Sequence, residues 1–324
     1  MRRLFLLATA AAIAFGGWFF SQNFTIEGLD RLTLERRDGS AASTPGMPNV
    51  SRDGNSVRIA SFNIQVFGQS KMSDPRVVSL LVEIVRQFDI VAIQEIRSKQ
   101  DIMARFVDQI NATGRHYDYV IGPRLGRSSS KEQYAFVFDT ASIEIDRHAL
   151  YTVEDPDDLL HREPLVGWFR VRGPPATEAF TFSLVNIHTD PDETDQELDA
   201  LADVFRAVQR DGRGEDDVII LGDLNVDEAN LGRLGEISNI RWAVSGVATN
   251  TRGTKQYDNI VFSGVATSEY TGRWGVFDMI RQFNLTVDEA LKVSDHQPVW
   301  AEFSLQEGGQ PGRIATRPFD ATSR

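Results

Sequence analysis

Eight residues of this 324-residue chain stand where chemistry is done in sheet proteins: Asn63, Glu95, His188, Asp223, Asn225, Asp258, Asp295 and His296. Each borders a short apolar run, and none of the eight is a lysine. The clearest case is Val218-Ile-Ile-Leu-Gly-Asp-Leu-Asn-Val-Asp227. Val218 to Leu221 is apolar and rich in β-branched residues, so it reads as a buried strand. Asp223 and Asn225 follow at alternate positions, which in an extended chain puts both on one side. Taken alone, the same residues also read as an Asx turn. Carboxylate and amide oxygens suit a hard divalent cation such as magnesium. Two histidines exchange protons near neutral pH, one for an attacking water and one for a leaving oxygen. Together these are what metal-assisted phosphodiester hydrolysis requires.

The elements that must position these residues alternate strands and helices. Val57 to Ile64 alternates apolar and polar residues as a strand does, with Asn63 and Gln65 on one side of its end. Asp74-Pro75 opens a helix with Asp as N-cap and Pro in the first turn, and Val77, Leu81, Ile84, Val85 and Phe88 keep helical spacing. Asp89 to Glu95 is the next strand, and Ile102, Met103, Phe106, Val107 and Ile110 form another helix face, closed near Gly114. Tyr134 to Phe138 and Ala179 to His188 are further strands. Thr194-Asp-Gln-Glu197 has the form of a capping box opening a helix with Leu198, Leu201, Phe205 and Val208 inward. Gln256 to Phe262 and Val293 to Phe303 complete the set. Their polar residues come first in the strand, so antiparallel pairing brings beginnings and ends to one rim.

Composition narrows the classes. Hydrophobic residues make up 41% and charged residues 25%, as in a globular body. With no cysteine, disulfides, thiolate zinc sites and thiol catalysis are excluded. A net charge of −12 argues against a general polyanion binder but not against an enzyme whose acidic residues hold a metal. Met1-Arg-Arg3 and the uncharged run Leu4 to Phe20 read as a secretory signal or an uncleaved anchor. That places the body outside the cytoplasm: associated with the inner membrane through residues 4–20, or free if cleaved near Gly16. The organisation expected is a signal or anchor at 1–22, an irregular linker at 23–55, one catalytic body at 56–306 and a disordered tail at 307–324.

The ordered set Ser61-Phe-Asn63-Ile, Ile93-Gln-Glu95, His188, Gly222-Asp223-Leu-Asn225, Tyr257-Asp258 and Ser294-Asp295-His296 resembles the endonuclease/exonuclease/phosphatase superfamily. Within it, Arg162-Glu163-Pro164 and Lys71-Met72-Ser73 favour the deoxyribonuclease I branch, and the similarity runs from Ile59 to Phe303. The resemblance implies an α/β fold, a four-layer α/β/β/α sandwich of two mainly antiparallel sheets with helices outside. It also implies a monomeric endonuclease that hydrolyses DNA with magnesium or manganese by in-line attack of water. Glu95 would be the main metal ligand, with Asn63 and Asp295. Asp223 and Asn225 would hold the scissile phosphate, the water or a second metal. His188 and His296 would be acid and base, oriented by Glu132 and Asp258. Arg162 would face the phosphate, and Arg97 and Arg127 the adjoining groove.

The departures bear on grip rather than chemistry. Gln65, Ser130 and Asn230 stand where the family has DNA-contacting residues. One family calcium site loses its aspartate to Val247 while keeping Thr249 and Thr251, and a second would use Asp158 and Glu163. Glu228 and Lys255 stand where animal relatives have a disulfide, so an ion pair is expected there. Rival readings are an exported phosphodiesterase or phosphatase acting on lipid or nucleotide phosphoesters, and a non-catalytic binding domain.

Overall fold

The computed structural model describes residues 54–127 and 131–309. The expectations for residues 1–22, most of the 23–55 linker, Ser130 and the tail from 310 lie outside these. Strand β1, Ser56–Phe67, is followed by helices α1, Gln69–Met72, and α2, Pro75–Val85. Asp74 caps α2 as its sequence predicts, accepting from the N–H groups of Arg76 and Val77 at 2.9 and 3.2 Å. Next come β2, Ile90–Ile96, α3, Ile102–Asn111, β3, Tyr117–Ile121, β4, Gln133–Asp139, β5, Ile143–Thr152, β6, Leu165–Val171, and β7, Thr181–His188. The body ends with α4, Thr194–Gln209, β8, Val218–Asp223, α5, Gly232–Gly235, β9, Ile240–Trp242, β10, Asp258–Ser263, β11, Tyr270–Val276, α6, Met279–Phe283, α7, Val287–Val293, and β12, Val299–Ser304.

These strands form two six-stranded sheets, ordered β11-β12-β1-β2-β4-β3 and β5-β6-β7-β8-β10-β9. The expected four layers are present. One apolar cluster packs α2, α3 and α7 on the first sheet, another fills the gap between the sheets, and a third packs α4 on the second sheet. Only β1–β2 and β7–β8 pair in parallel, and helices cross over between the strands of each pair. Asn63, Glu95, His188 and Asp223 all lie at or near the carboxyl ends of these four strands, where α/β sheets gather ligands.

Three readings are corrected. Thr194 and Glu197 make no capping box: Glu193 occupies the cap without a side-chain bond, and Glu197 is buried, accepting the N–H groups of His161, at 2.6 Å, and Asp190. The complete capping box is Thr286 with Glu289, at the start of α7. The strand expected from Val293 begins only at Val299, because α7 runs to Val293 and Ser294 to Pro298 is loop. Glu307–Gly309, expected in the tail, is a 3₁₀ turn docked on the second sheet, where Glu307 accepts the Thr181 N–H at 3.1 Å.

Between the sheets a run of rings defines the packing. Phe169 meets Phe136 edge-on at 5.2 Å and stacks on Phe182 at 5.8 Å, while Phe180 stacks on Phe182 at 4.7 Å. Phe169 is fully buried. Phe169→Ala should therefore lower unfolding stability by about 3–5 kcal/mol. Guanidinium denaturation followed by far-UV circular dichroism measures this, and a loss below about 1 kcal/mol would contradict the packing described.

Candidate active site

Strand register brings the site together. In the second sheet His188 pairs with Asp223 across the parallel β7–β8 ladder, and Asp223 pairs with Asp258 across the antiparallel β8–β10 ladder. The three residues thus form a row across adjacent strands. Gly222 makes the row possible. A Cβ there would lie 1.9 Å from the Ile187 carbonyl oxygen, so only glycine allows the strands to approach beside His188.

The two histidines form matched dyads. His188 Nδ1 lies 2.7 Å from Glu132 Oε1, and His296 Nδ1 lies 2.9 Å from Asp258 Oδ2. Their free Nε2 atoms converge on one oxygen, Asp223 Oδ2, at 3.5 and 3.3 Å. Asn63 Nδ2 donates to the same oxygen at 2.9 Å and to Glu95 Oε1 at 3.2 Å. Glu95 Oε2 accepts the Val66 N–H at 2.9 Å and pairs with Arg97 at 3.0 Å. Asp295 Oδ2 accepts from Gln65 at 2.9 Å. The eight residues singled out from the sequence, with Glu132, are therefore neighbours on one rim.

Electrostatics follows from burial among opposite charges. Burial alone would lower the pKa of His188, but the Glu132 hydrogen bond and the charge of Asp223 outweigh it and hold it above the ordinary value. For His296 burial is likewise overcome, by Asp258 and Asp223, and the pKa stands well above ordinary. Burial would raise Glu132, yet His188, Arg162 and Arg97 keep it lowered. Asp258 goes the other way: burial and the nearby Asp223 raise it against the pull of His296.

Several residues have placements their sequence did not suggest. Asn225 is not carried by strand alternation. β8 stops at Asp223, Asn225 has φ +54°, and its N–H closes an Asx turn on Asp223 Oδ1 at 3.1 Å while its amide donates to the Thr189 carbonyl at 2.9 Å. Arg162 is buried behind His188, donating to the His188 carbonyl at 3.0 Å and pairing with Glu132 at 3.1 Å, so it braces the dyad instead of presenting an open face. Arg97 bridges Glu95 and Glu132. Arg127 is not among these contacts: it pairs with Asp158 at 3.2 Å and with Glu193. That occupies a carboxylate oxygen of the Asp158–Glu163 pair read as a calcium site, and neither residue belongs to a described cluster able to hold an ion. Glu228 does not pair with Lys255 among the described residues. Glu228 Oε1 instead accepts from Ser245 Oγ at 2.6 Å and the Gly246 N–H at 2.8 Å. Both line an open groove of about 720 Å³ that adjoins the site through Asn225 and Tyr257.

Three positioning residues were missed. Thr249 Oγ1 donates to Asp258 Oδ2 at 2.6 Å, and Thr251 Oγ1 to the Ser294 carbonyl at 2.8 Å, so both threonines hold the His296 dyad. Asn186, two residues before His188 and hence on its face of β7, bonds to Gln94 of the other sheet at 2.7 Å. That spacing was the available signal.

The donor set suits a divalent metal. Asn63 Oδ1 and Asp295 Oδ1 are buried without a hydrogen-bond partner, and both residues contact the rim through their other side-chain atom. With the Glu95 carboxylate they supply the all-oxygen donors that magnesium or manganese prefers.

Comparison with known proteins gives a consistent result. A model of the endonuclease/exonuclease/phosphatase family matches residues 60–296. Deoxyribonuclease gamma of Rattus norvegicus is 35% identical over 269 residues, covering 78% of this chain and 85% of that protein. Deoxyribonuclease-1-like 1 of Sus scrofa is 36% identical over 261 residues, covering 76% and 81%. In fold, the chain is similar to truncated Caenorhabditis elegans TDP2, with TM-score 0.54, 15% identity and coverage of 78% of this chain and 98% of that one. The human Nocturnin catalytic domain gives TM-score 0.52 at 14% identity, covering 78% and 94%.

Two outcomes test this geometry. Gly222→Ala should cost about 1–3 kcal/mol by overpacking. A variant as stable as the parent in urea would show that β7 and β8 can part without loss. In chelator-treated protein His296 should titrate well above the ordinary histidine pKa of about 6.5. Its contribution to stability is then full below that pH and fades as pH rises through the folded pKa. Asp258→Asn should lower the midpoint of its ring-proton resonances and move that fading to lower pH. An unchanged midpoint would remove Asp258 as the cause.

Proposed function

The chain belongs to the endonuclease/exonuclease/phosphatase family, and from that membership we propose that it is a divalent-metal-dependent endonuclease that hydrolyses phosphodiester bonds of DNA. One observation carries the mechanism: the free Nε2 atoms of two carboxylate-oriented histidines point at the same oxygen of Asp223. A scissile phosphate beside Asp223 then has one imidazole on the side of attack and one on the side of departure. One histidine takes a proton from water as its oxygen bonds to phosphorus. As the phosphorus–oxygen bond breaks, the other delivers its proton to the leaving sugar oxygen. The products are a phosphomonoester end and a hydroxyl end, and proton exchange with solvent resets the pair. Glu132 and Asp258 fix the ring orientations and stabilise the imidazolium forms. Asn225, fixed by its bond to Thr189, stands beside Asp223 to meet a phosphate oxygen. Magnesium or manganese held by Glu95, Asn63 and Asp295 would stabilise the charge on the phosphoryl oxygens.

Substrate grip is proposed to be thin. Gln65, where the branch carries a groove-contacting arginine, is tied to Asp295, and Asn230 turns back onto Asp227 at 2.6 Å. The similarity to deoxyribonucleases supports DNA as substrate over a lipid phosphoester. We also place the body outside the cytoplasm as a monomer, anchored or released, on the strength of Met1 to Phe20 alone.

The test is plasmid nicking with magnesium, with magnesium plus calcium, and with chelator. Cleavage should need the divalent ion. Glu95→Gln should nearly abolish it without unfolding the chain. His188→Ala and His296→Ala should each lose at least the ~10²–10⁴-fold typical of general acid–base catalysis. The double variant should lose much less than the product of the two, because the dyads act as one unit. Wild-type rates in Glu95→Gln or in either histidine variant would sink the assignment of that residue.

A further inference from the structure

A second cluster of acidic groups lies at the opposite end of β8 from Asp223. Asp217, Glu269 and Glu307 bring carboxylate oxygens within 4.8 Å of one another, and Glu215 adjoins through Asp217, whose N–H it accepts at 3.0 Å. Asp217 and Glu269 are each 1% exposed. The three come from separate segments: the loop before β8, the connection between β10 and β11, and the 3₁₀ turn after β12.

Neither carboxylate oxygen of Asp217 has a hydrogen-bond partner. Outside the acidic set, the Thr267 hydroxyl is 1% exposed, lies beside Asp217, and also has no partner in good geometry. The strongest charges acting on Asp217 are Glu269, Glu215 and Glu307, all of its own sign. Buried like charges with open lone pairs need either protons or a cation.

We propose that Asp217, Glu269 and Glu307, with the Thr267 hydroxyl as a neutral donor, form a structural calcium site remote from the histidine rim. Calcium fits better than magnesium because it takes six to eight oxygen ligands in flexible geometry, whereas magnesium demands a near-ideal octahedron and keeps its waters. Free of the ion, the groups resist ionising together. Burial and the neighbouring carboxylates raise Asp217 well above its usual range, and burial with Glu269 and Glu215 pushes Glu307 up to about 7. The cation would relieve that repulsion and clip the end of the body, through Glu307, to both sheets. This site stands independently of the nuclease reading, since it shares no residue with the rim.

The experiment is thermal unfolding and calcium titration calorimetry on the chelator-stripped full chain, with Glu95→Gln as the background that weakens cation binding at the rim. Calcium should raise the melting temperature of Glu95→Gln. Adding Asp217→Asn should raise the melting temperature in chelator, because one buried repulsive charge is gone, and should abolish the calcium increment. A full calcium increment in the Asp217→Asn double variant, or none in Glu95→Gln, would overturn the site. The unmutated cluster can be read separately with terbium, because Trp168 Nε1 donates to Glu215 at 2.8 Å and can sensitise a bound lanthanide. Tryptophan-excited terbium emission that calcium displaces and Trp168→Phe diminishes supports the site. Emission unchanged by Trp168→Phe would place the ion elsewhere and overturn it.

Discussion

Gln94 and Asn186 are both completely buried, and they bond to each other at 2.7 Å across the gap between the two sheets. Each precedes a rim residue, Glu95 in one case and His188 in the other. Around this link nearly every lone pair and proton is used: Asn186 donates to the carbonyls of Ile93 and Ala135 at 3.2 and 3.1 Å, and Gln94 to the Ser61 hydroxyl at 3.1 Å. Breaking it would leave a buried polar group unsatisfied, at about 1–3 kcal/mol. Apolar packing between sheets tolerates sliding, but a directional bond does not. The link therefore holds the metal-ligand side of the rim, on the first sheet, against the histidine side on the second.

Above that link the backbone is strained. Val66, Glu95 and Asn225 have φ of +49°, +59° and +54°. A β-branched residue there is an outlier, and such residues cost about 1–3 kcal/mol each. The pairings β1–β2 and β2–β4 both shift register at this point, between Asn63 and Phe67 and between Ile93 and Ile96. Bulges re-aim side chains at the ends of strands. Ile93 faces the outer helices, and strict alternation would send Glu95 with it. The kink turns Glu95 to the rim, where it meets Asn63. Regular sheet on both sides, with its full ladders and aromatic core, is what sustains the distortion.

Charge completes the account. Arginines Arg97 and Arg162 reach the rim but are spent within it, on Glu95 and Glu132. In a chain of net charge −12, a phosphate approaching this rim meets mostly carboxylates. On the proposed reading the metal ion makes the site receptive, while the arginines hold the acid–base pair in place. The same conflict of buried like charges recurs at the far end of β8, where no histidine is present to resolve it.

The chain's own order of residues determined a good deal. Apolar runs and helical spacing marked the inner strands β1, β2, β4, β7, β8 and β10 and the helices α2, α3 and α4, because burial on one or both faces imposes a period on the sequence. The strands it did not mark are β3, β5, β9 and β11, which are the edges of the two sheets, together with β6. Edge strands are half solvated, so their side chains carry no clear alternation. The residue types at the rim were legible for a related reason: hard-metal and proton-transfer chemistry admits few side chains. Their partners were not. Whether Glu197 capped a helix or turned inward, whether Glu228 met Lys255 or Ser245, and whether Arg162 faced outward or braced His188 depended on neighbours distant in sequence. Only tertiary structure decided those, because a hydrogen bond or ion pair is chosen by what lies within about 3 Å, and sequence position does not set that distance.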